Sequence, residues 1–167
     1  MEKVHAHAGV DAAGDGEVAL LVQHVRGRLA DPDARAEGLV VGVWRPWDGL
    51  CVVALAGAMD IAHAPELRAL DGRLGPDPCQ LIVEMSHVTF MDSGGVSQLI
   101  SLANAFREAG GRITLAAPTA PVSRVFEDVH LSEFTPVEET LEAALTHSQT
   151  TSHRTAMPRR QHAHTGA

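Results

Sequence analysis

The stretch FMDSGGVSQL, Phe90 to Leu99, sets the hydroxyl of Ser93 between the carboxylate of Asp92 and the glycines Gly94 and Gly95. That tetrapeptide frames the nucleophilic serine of chymotrypsin-like proteases, so hydrolytic chemistry is the first possibility to weigh. Nucleophilic catalysis needs a base within hydrogen-bond reach of the serine and a third group to orient that base. His63, His87 and His130 are the candidates in the regularly patterned part of the chain, and none stands in the sequence context of a protease histidine. The other common serine motif, G-x-S-x-G, requires glycine where this chain has Met91. His87, in MSHVTF, reads equally well as a polar residue leaving a sheet. No catalytic residue is expected, and the chain is not expected to be an enzyme.

What surrounds Ser93 points to another use. Before it lies QLIVEM, a compact apolar run of the kind found in a central strand covered on both faces. After it, Val96, Leu99, Ile100, Ala103 and Phe106 recur at helical spacing until Gly110-Gly111 stops the pattern. Ser93 therefore stands where a strand gives way to a helix. The first N–H groups of a helix lack intrahelical acceptors, and a capping side chain from Asp92 or Ser93 is expected there. The same N–H groups and the helix dipole also favour a phosphate, so Ser93 is a candidate acceptor whose modification leaves the fold intact. Ser97, Gln98 and Ser101 fall on the non-core side of this helix.

Outside this junction the pattern is that of an α/β layer fold. Two β-branched runs in LVVGVWRPWDGLCVVALAG are joined by Asp48-Gly49, a strong hairpin signal. Asp60 to Gly75 reads as a helix with Leu67, Leu70 and Leu74 on one side, ended by Gly75-Pro76. RITLAA reads as a strand, Pro121 to Val129 as a short helix, Glu133 to Thr135 as a brief strand and VEETLEAAL as a last acidic helix. Strands alternating with helices define the class.

The flanks differ. Residues 1–38 are expected to be an extension, partly helical or disordered, in which EVALLVQHVRGRLADPD forms an amphipathic helix outside the main fold. Residues 39–146 form the domain, and 147–167 read as a disordered tail. The H-x-H pairs in these ends lack the fixed partners of a metal site, and neither metal nor cofactor is expected. A formal charge of −8 argues against direct nucleic-acid binding, which needs clustered Lys and Arg. No apolar run approaches the ~20 residues of a membrane span, and no secretory leader is recognisable, so a cytoplasmic chain is expected. Cys51 and Cys79 are read as reduced, buried small hydrophobes.

Three blocks in order, ALAGAMDIAHAPEL, LIVEMSHVTFMDSGGVSQL and GGRITLAAPTAPVSRVFEDVHLSEFTPV, resemble a STAS domain, and within it the bacterial anti-sigma factor antagonists. The family's G-x-x-D element is matched by Gly57 and Asp60, and its D-S-[ST]-G element by Asp92, Ser93 and Gly95, with Gly94 where a second hydroxyl is usual. The resemblance implies a STAS fold: a four- or five-stranded mixed β-sheet with α-helices packed on one side. It implies that the unphosphorylated protein binds an anti-sigma factor serine kinase, that Ser93 is then phosphorylated with ATP, and that a phosphatase reverses the modification. It also implies partner contacts through Asp60, Asp92, Ser93, Gly94 and Gly95. The alternative is a STAS scaffold subunit of another regulatory or lipid-transport assembly without a kinase partner.

Overall fold

The computed structural model describes residues 19, 20, 22, 23, 27, 39–63, 65, 70, 74 and 80–155. Strand β1 (Val40–Trp44) turns through the Asp48-Gly49 hairpin into the antiparallel β2 (Leu50–Met59). Gly49 takes φ +81° at this turn, a left-handed conformation that a side chain resists, which explains the Asp-Gly signal physically. Strands β3 (Gln80–Met91), β4 (Arg112–Ala116) and β5 (Val137–Glu138) follow, all parallel to β2, in the spatial order β1-β2-β3-β4-β5. Helices α1 (Ser93–Glu108), α2 (Ala120–Asp128) and α3 (Leu141–Thr155) accompany them, with short 3-10 turns at Ile61–His63 and Leu131–Glu133. This is the five-stranded mixed sheet expected.

Alternation along the strands sorts the core into two faces. Cys51, Val53 and Leu55 of β2 and Leu81, Val83 and Met85 of β3 share one cluster with the inner sides of α1 and α2 and with Leu70 and Leu74, which are helical. Leu50, Val52 and Ala54 of β2 and Ile82 of β3 point the other way, under Leu141, Ala144 and Leu145 of α3. Helices α1 and α2 thus lie on one face, as expected, whereas α3 covers the second. QLIVEM is accordingly buried on both sides. Val22 is 2% exposed and belongs to the second cluster, so at this residue the N-terminal segment packs on the sheet instead of lying outside the fold.

Three expectations are corrected. Glu133 to Thr135 is not a strand: a short 3-10 turn at Leu131–Glu133 buries Leu131, and the ladder begins only after Pro136, whose carbonyl accepts from Leu115 N–H at 2.9 Å. The last helix therefore starts later than VEETLEAAL indicates, at Leu141, with the Thr140 hydroxyl accepting from Ala143 N–H at 3.1 Å. It also runs beyond the expected boundary of the disordered tail, through Thr155. Composition misleads there because the polar residues find partners: His147 lies 2.9 Å from Glu138, and the carbonyl of the buried Ser148 accepts from Gln80 at 3.3 Å. Residues 156–167, like Cys79, most of the predicted 60–75 helix and most of 1–38, lie outside the described residues.

Cys51 is fully buried, and burial pushes its thiol up to about 11 against the opposing pull of Arg45. Its folded value exceeds the ordinary 9.0, so it contributes stability that is complete below about pH 9 and lost as pH rises through 11. We expect Cys51 to resist a thiol reagent at pH 8 until the domain is unfolded, followed by peptide mapping of the labelled cysteine. Labelling of native Cys51 within minutes would contradict this burial.

Candidate functional site

The site is built where β2 and β3 end side by side. Register shifts between Ala54 and Ala56 and between Gly57 and Ala58 let β3 advance relative to β2, and Gly57 absorbs the distortion at φ +104°. This gives the glycine of G-x-x-D a reason, since few side chains tolerate that backbone. Strand β4 ends opposite Glu84, so from Met85 to Met91 the strand paired with β3 is β2, and the Thr119 hydroxyl before α2 donates to the Val88 carbonyl at 2.8 Å. Met91 pairs with Met59, which brings the following residues, Asp92 and Asp60, to the same edge.

Each carboxylate is engaged in a turn. Asp92 is the N-cap of α1: its Oδ1 accepts from Gly95 N–H at 3.0 Å, its own N–H donates to the Met59 carbonyl at 3.3 Å, and its carbonyl receives Val96 N–H at 3.0 Å. Asp60 Oδ1 accepts from Ala62 N–H at 2.9 Å and shapes the 3-10 turn Ile61–His63. Of the two caps considered for α1, Asp92 is the one that forms. Ser93 is exposed and makes no side-chain hydrogen bond among the described residues. With Asp92 taking the N–H of Gly95, those of Ser93 and Gly94 are left without an intrahelical acceptor. An anion on Ser93 would meet those donors at the positive end of a helix of 16 residues.

The two glycines differ. Gly94 is half-buried, and a Cβ there would come 3.0 Å from Asp92 Oδ1 and 3.0 Å from both N and Cβ of Ile61. Gly95 is buried, and a Cβ there would lie 2.4 Å from the Met59 carbonyl oxygen. Gly95 is therefore withdrawn from the expected contact surface: it faces inward so that α1 can approach the end of β2. Ser97 and Ser101 are exposed and Gln98 is half-buried, as their spacing predicts.

Among the described residues no histidine is hydrogen-bonded to Ser93. His87 lies within β3 opposite Ala56, with Nδ1 2.8 Å from the hydroxyl of its neighbour Ser86. His130 occupies a left-handed turn position after α2. His63 belongs to the turn after Asp60, and its side chain lies outside the described residues. Among the described residues no group of three or more His, Cys, Asp or Glu is placed to hold a metal, and no helix is long and apolar enough to cross a membrane.

One residue at this edge was not anticipated. Ile61 is 75% exposed beside Gly94. Its placement depends on the turn that Asp60 makes, and nothing in the spacing of apolar residues announces it.

A family model for the STAS domain matches residues 46–144, more than half of the chain. The chain belongs to the STAS domain family. Several solved structures resemble it in fold. An anti-sigma factor antagonist from Mycobacterium paratuberculosis is 26% identical, with 71% of this chain and 97% of that one covered, at a TM-score of 0.56. The Bacillus cell fate determinant SpoIIAA in its phosphorylated form is 21% identical over 65% of this chain and 99% of its own, at 0.53. A sulfate transporter family protein from Wolinella succinogenes is 18% identical over 74% and 98%, at 0.59. No curated protein matches the chain. The STAS fold explains the overhanging β3 and the α1 start as one unit, with Ser93 at the carboxyl end of a parallel strand, where α/β sheets present their sites.

A prediction follows for the cap. Asp92→Ala is expected to lower stability by about 1 kcal/mol, within the roughly 0.5–2 kcal/mol of lost caps, whereas Asp92→Asn, which keeps an acceptor, stays close to wild type. Urea unfolding midpoints at equal m-values measure both. An alanine variant as stable as wild type would contradict the role given to the 3.0 Å bond to Gly95.

Proposed function

We propose that this STAS protein is an anti-sigma factor antagonist. In the unmodified state it binds an anti-sigma factor serine kinase, and the sigma factor held by that kinase is released. The kinase transfers the γ-phosphoryl group of ATP to Ser93 Oγ; the hydroxyl proton leaves to a base on the kinase, ADP departs, and the modified protein dissociates. A phosphatase hydrolyses the phosphoserine and restores binding. The protein itself is an acceptor with no catalytic part in this cycle. Its place is the cytoplasm, where the kinase and ATP meet it, and no direct contact with nucleic acid is required.

The observation that carries the reading is the state of Ser93: an exposed hydroxyl at the first position of a long helix, with Asp92 and not Ser93 used for the cap. Phosphate can be added without breaking any hydrogen bond the fold uses. The likeness to SpoIIAA, solved in a phosphorylated form, supports the same reading. Incubation of the full chain with the source organism's anti-sigma factor kinases and ATP is expected to yield one phosphate, mapped by tandem mass spectrometry to Ser93 and missing from Ser93→Ala. Phosphate that persists in Ser93→Ala would place the acceptor elsewhere.

A second reading is favoured by the fold likeness to the sulfate transporter family protein. In it the chain is a STAS scaffold subunit of another regulatory or lipid-transport assembly, and Ser93 stays unmodified with every kinase.

A further inference from the structure

We propose that Ile61 is a docking contact for the kinase that phosphorylates Ser93, and that Gly94 is what allows it to stand there. This rests on the kinase reading above and names the part of the surface that gives it specificity.

Ile61 opens the 3-10 turn that follows β2 and is 75% exposed, an aliphatic side chain presented to solvent by a turn that Asp60 pins at 2.9 Å. The backbone and Cβ of Ile61 come so close to Gly94 that any side chain at 94 would meet them at 3.0 Å and would press on the capping oxygen of Asp92 at the same distance. The chain carries glycine at the position where its family usually has a second hydroxyl, and that departure is matched by the close approach of this turn. The two features form one arrangement.

The occupant follows from the chemistry at Ser93. Phosphoryl transfer requires the kinase to bring its reacting atoms to about 3–3.5 Å from Oγ. A stable interface covers about 800 Å² per partner, a patch extending on the order of 15 Å from its centre. Ile61 touches the residue next to Ser93 and so lies inside any such patch. A desolvated aliphatic contact there also sharpens the switch, because a phosphate added at this edge, which also carries Asp60 and Asp92, disrupts the contact by desolvation and repulsion.

The test uses the full chain with each of the source organism's anti-sigma factor kinases, purified and supplied with ATP. Ile61→Ser is expected to raise the KM for the protein substrate about tenfold or more with kcat and melting temperature retained, as loss of an apolar anchor does. Gly94→Ser, whose Cβ obliges Ile61 to give by a few tenths of an ångström, is expected to raise KM by a smaller factor. Wild-type KM in Ile61→Ser, with phosphate still on Ser93, would overturn this inference and leave the kinase reading standing. Failure of every kinase to modify wild-type Ser93 would overturn both.

Discussion

Ser93→Asp is expected to bind the anti-sigma factor kinase about a hundredfold more weakly than wild type, a loss of roughly 2.7 kcal/mol, while melting at the same temperature. The two halves of this expectation have separate causes. At the start of α1 a carboxylate is electrostatically welcome: a negative group in the first turn gains about 0.3–1 kcal/mol from the helix dipole, offset in part by its neighbour Asp92. No existing hydrogen bond is lost, because the Ser93 side chain makes none among the described residues. Inside an interface the sign reverses. A third carboxylate beside Asp60 and Asp92 must be stripped of water, and like charges brought together there cost several kcal/mol. Isothermal titration and a thermal melt of the same preparation separate the effects. Weakened binding with a matching fall in melting temperature would show that Ser93 serves the fold.

Gly95→Ala is expected to destabilise the domain by about 1–2 kcal/mol and lower its melting temperature by roughly 5–10 °C. Two effects oppose each other. Alanine is the better helix former by roughly 1 kcal/mol, and Gly95 lies within α1. Its Cβ, however, would lie 2.4 Å from the Met59 carbonyl oxygen and 3.0 Å from Met91 Cγ. The nearer contact is backbone that also accepts the N–H of Asp92, so it cannot swing aside as a flexible side chain can. Overpacking costs about 1–3 kcal/mol, and against fixed backbone at 2.4 Å the upper part of that range, about 2–3 kcal/mol, applies and outweighs the propensity gain. Ala105, three turns further along and exposed, offers the control: Ala105→Gly reports propensity alone. A Gly95→Ala protein more stable than wild type would mean that α1 and the end of β2 do not approach as described.

The junction at Ser93 was legible because two periods meet there, an apolar run and a helical repeat, and both survive in β3 and α1. The Asp48-Gly49 turn was legible because its backbone admits little but glycine. What escaped was set by contacts distant in sequence. QLIVEM continues to Met91, but register shifts around Ser86 and Thr89 break the period of two, so the last half of β3 carries no strand signature. Gly95 shares a motif with Ser93, and only the approach of Met59 reveals that it faces inward. The sequence pattern ends helix α3 too early, since His147 and Ser148 look like tail until Glu138 and Gln80 are placed beside them. The same blindness applied to Ile61, whose neighbour is Gly94.

The central claim is that phosphate on Ser93 switches partner binding while the fold is unchanged. Its most direct measurement is a titration of one anti-sigma factor kinase, held in its ADP-bound form, with unmodified protein and with enzymatically phosphorylated protein purified to homogeneity. Tight binding of the unmodified form and at least a hundredfold weaker binding of the phosphorylated form, with superimposable circular dichroism, is the result predicted. Equal affinity of the two forms would contradict it.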